Sequence, residues 1–188
     1  MGTDRRPAGG RERLLETARR LFTHHGASNV GINEVTDAAG VARMTLYNNF
    51  PSKEALTVAV YEEMASATLR ALEALPDAGT EEARIGAIFD LFGRGTRRAE
   101  YRGCPFIHAS LQEAEPSGPI YAIVRDYKRA LRDHVFQALD EERTERSQMA
   151  DTIVLLLDGA VTEAYIKGVA EPVAVAKRAA ATLLHAIR

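Results

Sequence analysis

The segment of residues 31–50 constrains the fold more than any other part of the sequence. It contains two helical patterns of about seven residues, 33–39 and 43–49, which meet at Gly40. Helices this short are not stable alone in water, so both must pack against a neighbouring helix. The preceding stretch, residues 11–25, provides that neighbour because its apolar residues recur at helical spacing. A compact unit of three helices is therefore predicted.

The same spacing divides the short helices into a buried and an exposed face. The apolar positions predicted to be buried are Val35, Ala38, Ala39, Val41, Leu46 and Phe50. The opposite surface keeps Arg43, Met44, Thr45, Tyr47, Asn48 and Asn49. Arginine and asparagine read base edges, and hydroxyl groups bind phosphate oxygens. The pattern is compatible with a DNA-binding helix-turn-helix, but helix pairs joined by a glycine also occur in many helical proteins that bind no DNA.

The run GVARMTLYNNFPSKEAL, residues 40–56, resembles the signature of the TetR family of bacterial regulators, and the resemblance extends over residues 11–60. It implies that Arg43 and Thr45 face bases or phosphates and that Tyr47 and Asn49 face phosphates. It also implies that Lys53 lies beside the DNA backbone and that Asn33 is a contact from the second helix.

Gly31 departs from the family pattern. The family usually has Ser or Thr there, which caps the second helix and can contact a phosphate. Glycine is an acceptable cap but has no hydroxyl. The phosphate contact is therefore either absent or made by Asn33.

The rest of the chain is also predicted to be helical. Residues 1–10 are a tail rich in Gly, Pro and Arg, a long helix runs from Lys53 to near Pro76, and helical patterns follow over 80–99, 105–114, 118–142, 146–168 and 172–187. No stretch has the pattern of a strand. We predict an all-α fold of about nine helices, with a DNA-binding domain over 11–52 and an effector-binding and dimerisation domain over 53–188.

Composition limits location and chemistry. The formal net charge is -2, but residues 1–54 hold eight Lys/Arg against six Asp/Glu, so the basic part is N-terminal. No apolar stretch is long enough for a membrane span or a secretory signal. The single cysteine, Cys104, excludes an intrachain disulfide and agrees with a reducing compartment. A cytoplasmic location without membrane association is expected.

A dimer is expected because one recognition helix reads too few base pairs, so that two copies would bind a palindromic double-stranded operator. The last two helices contain more apolar residues than one core needs, and the resemblance implies a four-helix bundle across the two-fold axis. The predicted dimer residues are Ile153, Leu156, Leu157, Ala160, Ala176, Ala179, Ala180, Leu183 and Ile187.

The middle helices hold most of the aromatic and unusual polar residues, and the family has its effector pocket in this region. The candidates for contact with an unknown small-molecule effector are Phe89, Phe92, Cys104, Phe106, His108, Gln112, Tyr121, Tyr127 and Tyr165. Each could instead be a core residue. Cys104 has three interpretations: a structural residue, a sensor thiol at a helix N-terminus, or a metal ligand with His108.

The resulting hypothesis is a repressor that a small molecule releases from DNA. A helical enzyme is the competing class, but the sequence has no phosphate loop, nucleophile elbow or metal-binding motif. No catalytic residue, metal or cofactor is predicted. A third class is a structural adaptor, whose function would not change if Arg43 or Tyr47 were replaced by alanine.

Overall fold

The computed structural model describes residues 9–77, 79–112 and 117–186. Over these ranges the chain is helical and contains no strand, which confirms the all-α prediction. The helices are α1 (Gly10–His25), α2 (Ile32–Ala39), α3 (Arg43–Asn49), α4 (Lys53–Glu73), α5 (Glu81–Thr96), α6 (Pro105–Gln112), α7 (Pro119–Ala138), α8 (Arg146–Lys167) and α9 (Glu171–Ala186), with a short 3-10 turn at Ala27–Asn29. The predicted N-terminal tail lies almost wholly outside the described residues.

Glycines end several helices as the sequence predicted. Gly40 follows α2 with φ of 62° and ψ of 41°, and its N–H donates to the carbonyls of Thr36 and Asp37. Gly168 closes α8 in a similar left-handed conformation. An L-residue resists this conformation because its Cβ crowds the following carbonyl. The 3-10 turn after α1 was not predicted, because three residues carry no periodicity.

Contacts divide the chain into two compact units that do not follow a single cut in the sequence. The first, here called the head unit, consists of residues up to Ala65 together with Phe106–Ile123, and the second consists of Ser66–Pro105 and Val124–Arg188. Most of α6 and the beginning of α7 therefore belong to the head unit. The predicted domain limits, 11–52 and 53–188, stay predictions.

The core of the head unit explains how two short helices remain folded. Leu14 and Ala18 of α1, Leu46 of α3 and Leu56 of α4 are fully buried in one cluster. Burying a leucine side chain contributes about 1.5–3 kcal/mol, which short helices cannot obtain alone. The prediction for Ala38 is wrong, since it is exposed. The buried stripe of α2 consists of Val35, Thr36 and Ala39.

The second unit packs α9 against both α5 and α8. Ile85, Ile88 and Phe89 of α5 and Ile153 and Leu157 of α8 are almost completely buried. None of the described helices combines the length and the hydrophobicity that a bilayer crossing requires.

Candidate nucleic-acid interface

The outer surface of α3 carries the residues predicted to contact DNA. Leu46 is fully buried and fixes the rotation of the helix about its axis. Arg43, Met44, Tyr47, Asn48 and Asn49 are consequently exposed, and Thr45 is half-buried. The exposed fraction of Met44 is 69%, so an apolar side chain lies open to solvent among polar ones.

Arg43 and Tyr47 form a pair one helical turn apart. The guanidinium carbon lies 5.6 Å from the centre of the Tyr47 ring, and Nη2 donates to the phenol oxygen at 3.4 Å. Cation–π contact of this kind stabilises an exposed pair by about 0.5–1 kcal/mol. It holds two groups that are predicted to bind phosphates or bases on the same face of α3.

Hydrogen bonds restrain two of the other predicted contacts, Asn49 and Lys53. Nδ2 of Asn49 donates one hydrogen to the carbonyl of Thr45 at 2.7 Å, which leaves its second hydrogen as a donor and the amide oxygen as an acceptor. Nζ of Lys53 donates to the carbonyl of Ser28 at 3.2 Å. Asn33 is exposed near the start of α2.

Gly31 is the N-cap residue of α2, as the sequence indicated. Its φ of −85° and ψ of 155° are ordinary extended values, and no side chain caps the helix. Nothing lies within 4 Å of the position that a Cβ would occupy there. A larger residue would fit, so the glycine is not required by packing.

The start of α1 borders α3, which the sequence did not reveal. The guanidinium carbon of Arg11 lies 5.4 Å from the centre of the Phe50 ring, directly after α3. A Cβ on Gly10 would come within 2.9 Å of the Thr45 methyl group. Arg11 is exposed and therefore adds a cation beside the predicted interface. Only the packing of α1 on α3 identifies it, because periodicity assigns Arg11 to a solvated face.

The predicted pocket residues do not form one group. Phe89, Phe106 and Tyr127 are core side chains with at most 3% exposure, and Tyr165 is exposed at the end of α8. The burial of Phe89, Phe106 and Tyr127 favours a core role for these three side chains. The four half-buried candidates are Phe92, Cys104, His108 and Tyr121.

Gln112 lines a cleft of about 380 Å³ inside the head unit. The cleft lies among the 3-10 turn, the beginning of α4, α6 and the first turn of α7. The structure thus gives Gln112 a place at a cavity, although the sequence predicted it within a different set of residues.

Cys104 lies half-buried immediately before α6. Burial raises the pKa of Tyr101 and of Tyr127, and the charge of a Cys104 thiolate would raise both further. Among the described residues no three His, Cys, Asp or Glu side chains are grouped to hold a metal ion.

Five of the predicted dimer residues, Ile153, Leu157, Ala160, Ala176 and Ala180, are at most 7% exposed within the single chain. They are therefore core residues of this unit and expose little surface to a second copy. Leu156, Ala179 and Leu183 are half-buried, and Ile187 lies outside the described residues.

Different side chains provide the exposed apolar surface of α8 and α9. Leu155 and Ile166 on α8 are 72% and 68% exposed, and Val175 on α9 is 48% exposed. Gly159 lies one turn after Leu155 with no atom near its Cβ position, so a partner helix could approach closely there.

Comparison with known proteins identifies the head. Residues 14–60 match the model of bacterial regulatory proteins of the TetR family. An uncharacterized HTH-type transcriptional regulator of Mycobacterium tuberculosis is 45% identical over 62 residues, 31% of each chain. The HTH-type transcriptional repressor AcnR of Corynebacterium efficiens is 30% identical over 90 residues, 48% of this chain and 46% of the repressor. The chain thus spans less than half the length of these curated relatives.

Solved structures extend the similarity to almost the whole chain. A TetR-family transcriptional regulator from Streptomyces coelicolor is 25% identical with a TM-score of 0.85, over 95% of both chains. The reduced form of E. coli NemR is 25% identical with a TM-score of 0.79, over 92% of this chain and 95% of that one.

Proposed function

Because the chain belongs to the TetR family of bacterial transcriptional regulators, we propose that it is a homodimeric repressor which a small-molecule effector releases from its operator. The observation that supports operator binding is the outer face of α3. There the buried Leu46 directs a surface outward, from Arg43 to Asn49, that is polar except for the exposed Met44. A repressor role agrees with the AcnR proteins that the head resembles.

The side chains of this surface have distinct proposed roles. Arg43 binds the edge of a guanine, and Met44 packs against a thymine methyl group, since exposed apolar side chains recognise that group in the major groove. Tyr47, Asn49 and Lys53 donate to phosphates and fix the position of α3 along the groove.

Three further side chains complete the proposed interface. Thr45 and Asn48 of α3 contribute hydroxyl and amide groups beside the bases, and Asn33 contacts the backbone from α2 in place of the missing hydroxyl at Gly31. Arg11 adds a phosphate contact from the start of α1.

We propose the exposed strip of α8 and α9 as the dimer surface. It is centred on Leu155, Gly159, Ile166 and Val175, and the half-buried Leu156, Ala179 and Leu183 lie at its margin. A two-fold dimer would present two copies of α3 to successive major grooves about 34–36 Å apart. An exposed leucine and isoleucine on one helix are otherwise costly to leave in water.

Effector release requires a ligand that binds better to a second conformation. We propose that α4 transmits the change, since it begins at the DNA contact Lys53 and continues into the second unit. Phe92, Cys104, His108 and Tyr121 remain candidates for effector contact. The sensor interpretation of Cys104 predicts that thiol oxidants release DNA and that Cys104→Ser abolishes this release.

A non-enzymatic role in the bacterial cytoplasm follows from this proposal. The test is a gel shift with the DNA that flanks the gene, at several salt concentrations. Arg43→Ala should weaken binding by about 1–3 kcal/mol, or roughly five- to 150-fold. Arg129→Ala on α7 is a matched control that should leave the affinity unchanged.

Two results would contradict the proposal. DNA binding whose affinity depends on neither the DNA sequence nor the salt concentration would contradict operator recognition, because phosphate contacts make specific binding salt-dependent. A folded Arg43→Ala variant with full affinity would favour a structural adaptor.

A further inference from the structure

The cleft beside α6 is a feature of the head unit that DNA binding does not explain. Its volume is about 380 Å³, near the lower end of the range for small-molecule sites. Tyr61, Ala109 and Ile120 line it and are at most 5% exposed, so they form an apolar floor. The Tyr61 ring is packed edge-on against Phe106, with ring centres 6.2 Å apart. The floor of the cleft is therefore apolar and buried.

The rim of the cleft is polar and carries one cation. Lys53 is half-buried there, beside the exposed residues Ser28, Glu54 and Gln112. The Ser28 carbonyl takes one of the three donors of the Lys53 ammonium group, at 3.2 Å. An anionic ligand can bind the others. Glu54 disfavours a second negative charge at the same rim.

We propose that this cleft binds a small monocarboxylic acid with a single ring or short chain, and that the bound acid lowers operator affinity. The apolar body would lie on the floor and the carboxylate would bind the Lys53 ammonium group. This proposal rests on the repressor function above, because its effect on DNA passes through Lys53. A Lys53 ammonium group held by the acid no longer contacts a phosphate.

The cleft is also joined to the turn that precedes α2. Gly26 has φ of 80° and ψ of 140°, and a Cβ there would lie 2.7 Å from Nε2 of Gln112. Oγ of Ser28 donates to Oε1 of Gln112 at 3.5 Å. The end of α6 therefore rests directly on the turn between α1 and α2. A ligand held between Gln112 and Lys53 would change the position of that turn together with the position of the cation.

Calorimetry on the full chain without DNA tests the site. The probes are benzoate, its neutral analogue benzamide and the dicarboxylate phthalate. Benzoate should bind at least ten-fold more tightly than either analogue, because the rim offers one cation and one opposing carboxylate. Absence of benzoate binding up to about 10 mM overturns the proposal, since a Kd of 1 mM already corresponds to only about 4 kcal/mol.

Two variants localise the binding. Ala109→Leu fills the floor of the cleft, and Lys53→Met keeps the apolar stem but removes the ammonium group. Each should weaken benzoate binding at least ten-fold, whereas Lys167→Met, which changes an exposed lysine on α8, should not. If Ala109→Leu fails to fold by circular dichroism, Lys53→Met alone decides, because its side chain lies at the rim.

Gel shifts with and without benzoate then separate this inference from the repressor function. Weaker operator binding in benzoate supports it. Unchanged benzoate affinity in both variants overturns the proposed site in the cleft but does not contradict the repressor function. Benzoate binding in the cleft without any effect on the operator overturns the coupling. A chain that binds benzoate in the cleft but no operator supports the site and contradicts the repressor function instead.

Discussion

Arg143→Ala tests the most enclosed ion pair in the described part of the chain. Arg143 and Glu81 have side chains that are only 6% and 10% exposed. Nε of Arg143 donates to Oε1 of Glu81 at 2.6 Å, Nη2 pairs with the other carboxylate oxygen, and Nη2 also donates to the carbonyl of Leu184 at 2.9 Å. One guanidinium thus joins the start of α5, the loop after α7 and the last turn of α9.

The expected cost follows from what the substitution leaves behind. The Glu81 carboxylate keeps the backbone N–H of Asp140, at 2.9 Å, but loses its buried counter-charge. Removing one partner of a buried pair costs about 3–5 kcal/mol. Glu141 and Glu142 in the same loop are exposed, so water can approach, and the lower figure applies. A loss of about 3 kcal/mol lowers the Tm by roughly 6–12 °C in a chain of this size.

Urea unfolding followed by circular dichroism measures this loss, at fixed protein concentration because dimerisation would couple to stability. Arg129→Ala is the control: its guanidinium is 66% exposed and lies 3.9 Å from Asp126. Exposed pairs contribute about 0–1 kcal/mol, so the control should be nearly neutral. A free energy of unfolding for Arg143→Ala within about 1 kcal/mol of the control would refute the reasoning.

Three further predictions concern pH, backbone conformation and association. Burial raises the pKa of Glu81, but hydrogen bonds from a guanidinium and a backbone N–H, with nearby arginine charges, hold it below its ordinary value of 4.5. Its ionised form therefore stabilises the fold fully above that value and loses this effect as the pH falls through the lowered pKa. Glu81→Gln should be destabilising at about pH 7 in urea unfolding and approach the wild type as the pH falls below 4.5. Gly26→Ala should lower the free energy of unfolding by about 1–3 kcal/mol, because φ is 80° and the new Cβ meets a side-chain amide. Its control, Gly31→Ala, should be nearly neutral, because φ is −85° there and the space around the Cβ position is open. If the proposed dimer forms, Leu155→Glu should convert it to a folded monomer in light scattering, while Leu111→Glu, at an equally exposed leucine of α6, should leave the mass unchanged. A dimer in both variants would place the interface elsewhere.

The helix limits could be predicted because they depend on local chemistry. Gly40 and Gly168 adopt the left-handed conformation that their neighbours resist, and Pro105 begins α6 where its missing N–H has no cost. The observed limits of α2 and α3 differ from the predicted ones by no more than one residue. The exposed face of α3 could be predicted too, because only one face of a short helix can contact its core.

The proposed dimer surface was harder to predict because α8 contains a run of five apolar residues, Ile153–Leu157. Val154, Leu155, Leu156 and Leu157 are consecutive, so helical periodicity cannot decide which of them faces the core. The structure buries Leu157 and exposes Leu155, and this choice depends on where α9 packs. The sequence therefore shows that the last two helices contain more apolar residues than one core needs, but it does not show which of them stay exposed.

The contact between Ser28 and Gln112 shows a different limit. These residues are 84 positions apart, and each alone has the sequence character of a solvated polar residue. The only local sign is Gly26, which the sequence explains equally well as the end of α1. Its ψ of 140° differs from the 41° of Gly40, so Gly26 does not form the usual left-handed helix end. Glycine is favoured there because φ is 80°, whereas the Gln112 amide near the Cβ position is the end of an exposed, flexible side chain that can move aside. The N–H of Gly26 donates to the Phe22 carbonyl, so Gly26 ends α1 and also lies beside the tertiary contact with Gln112.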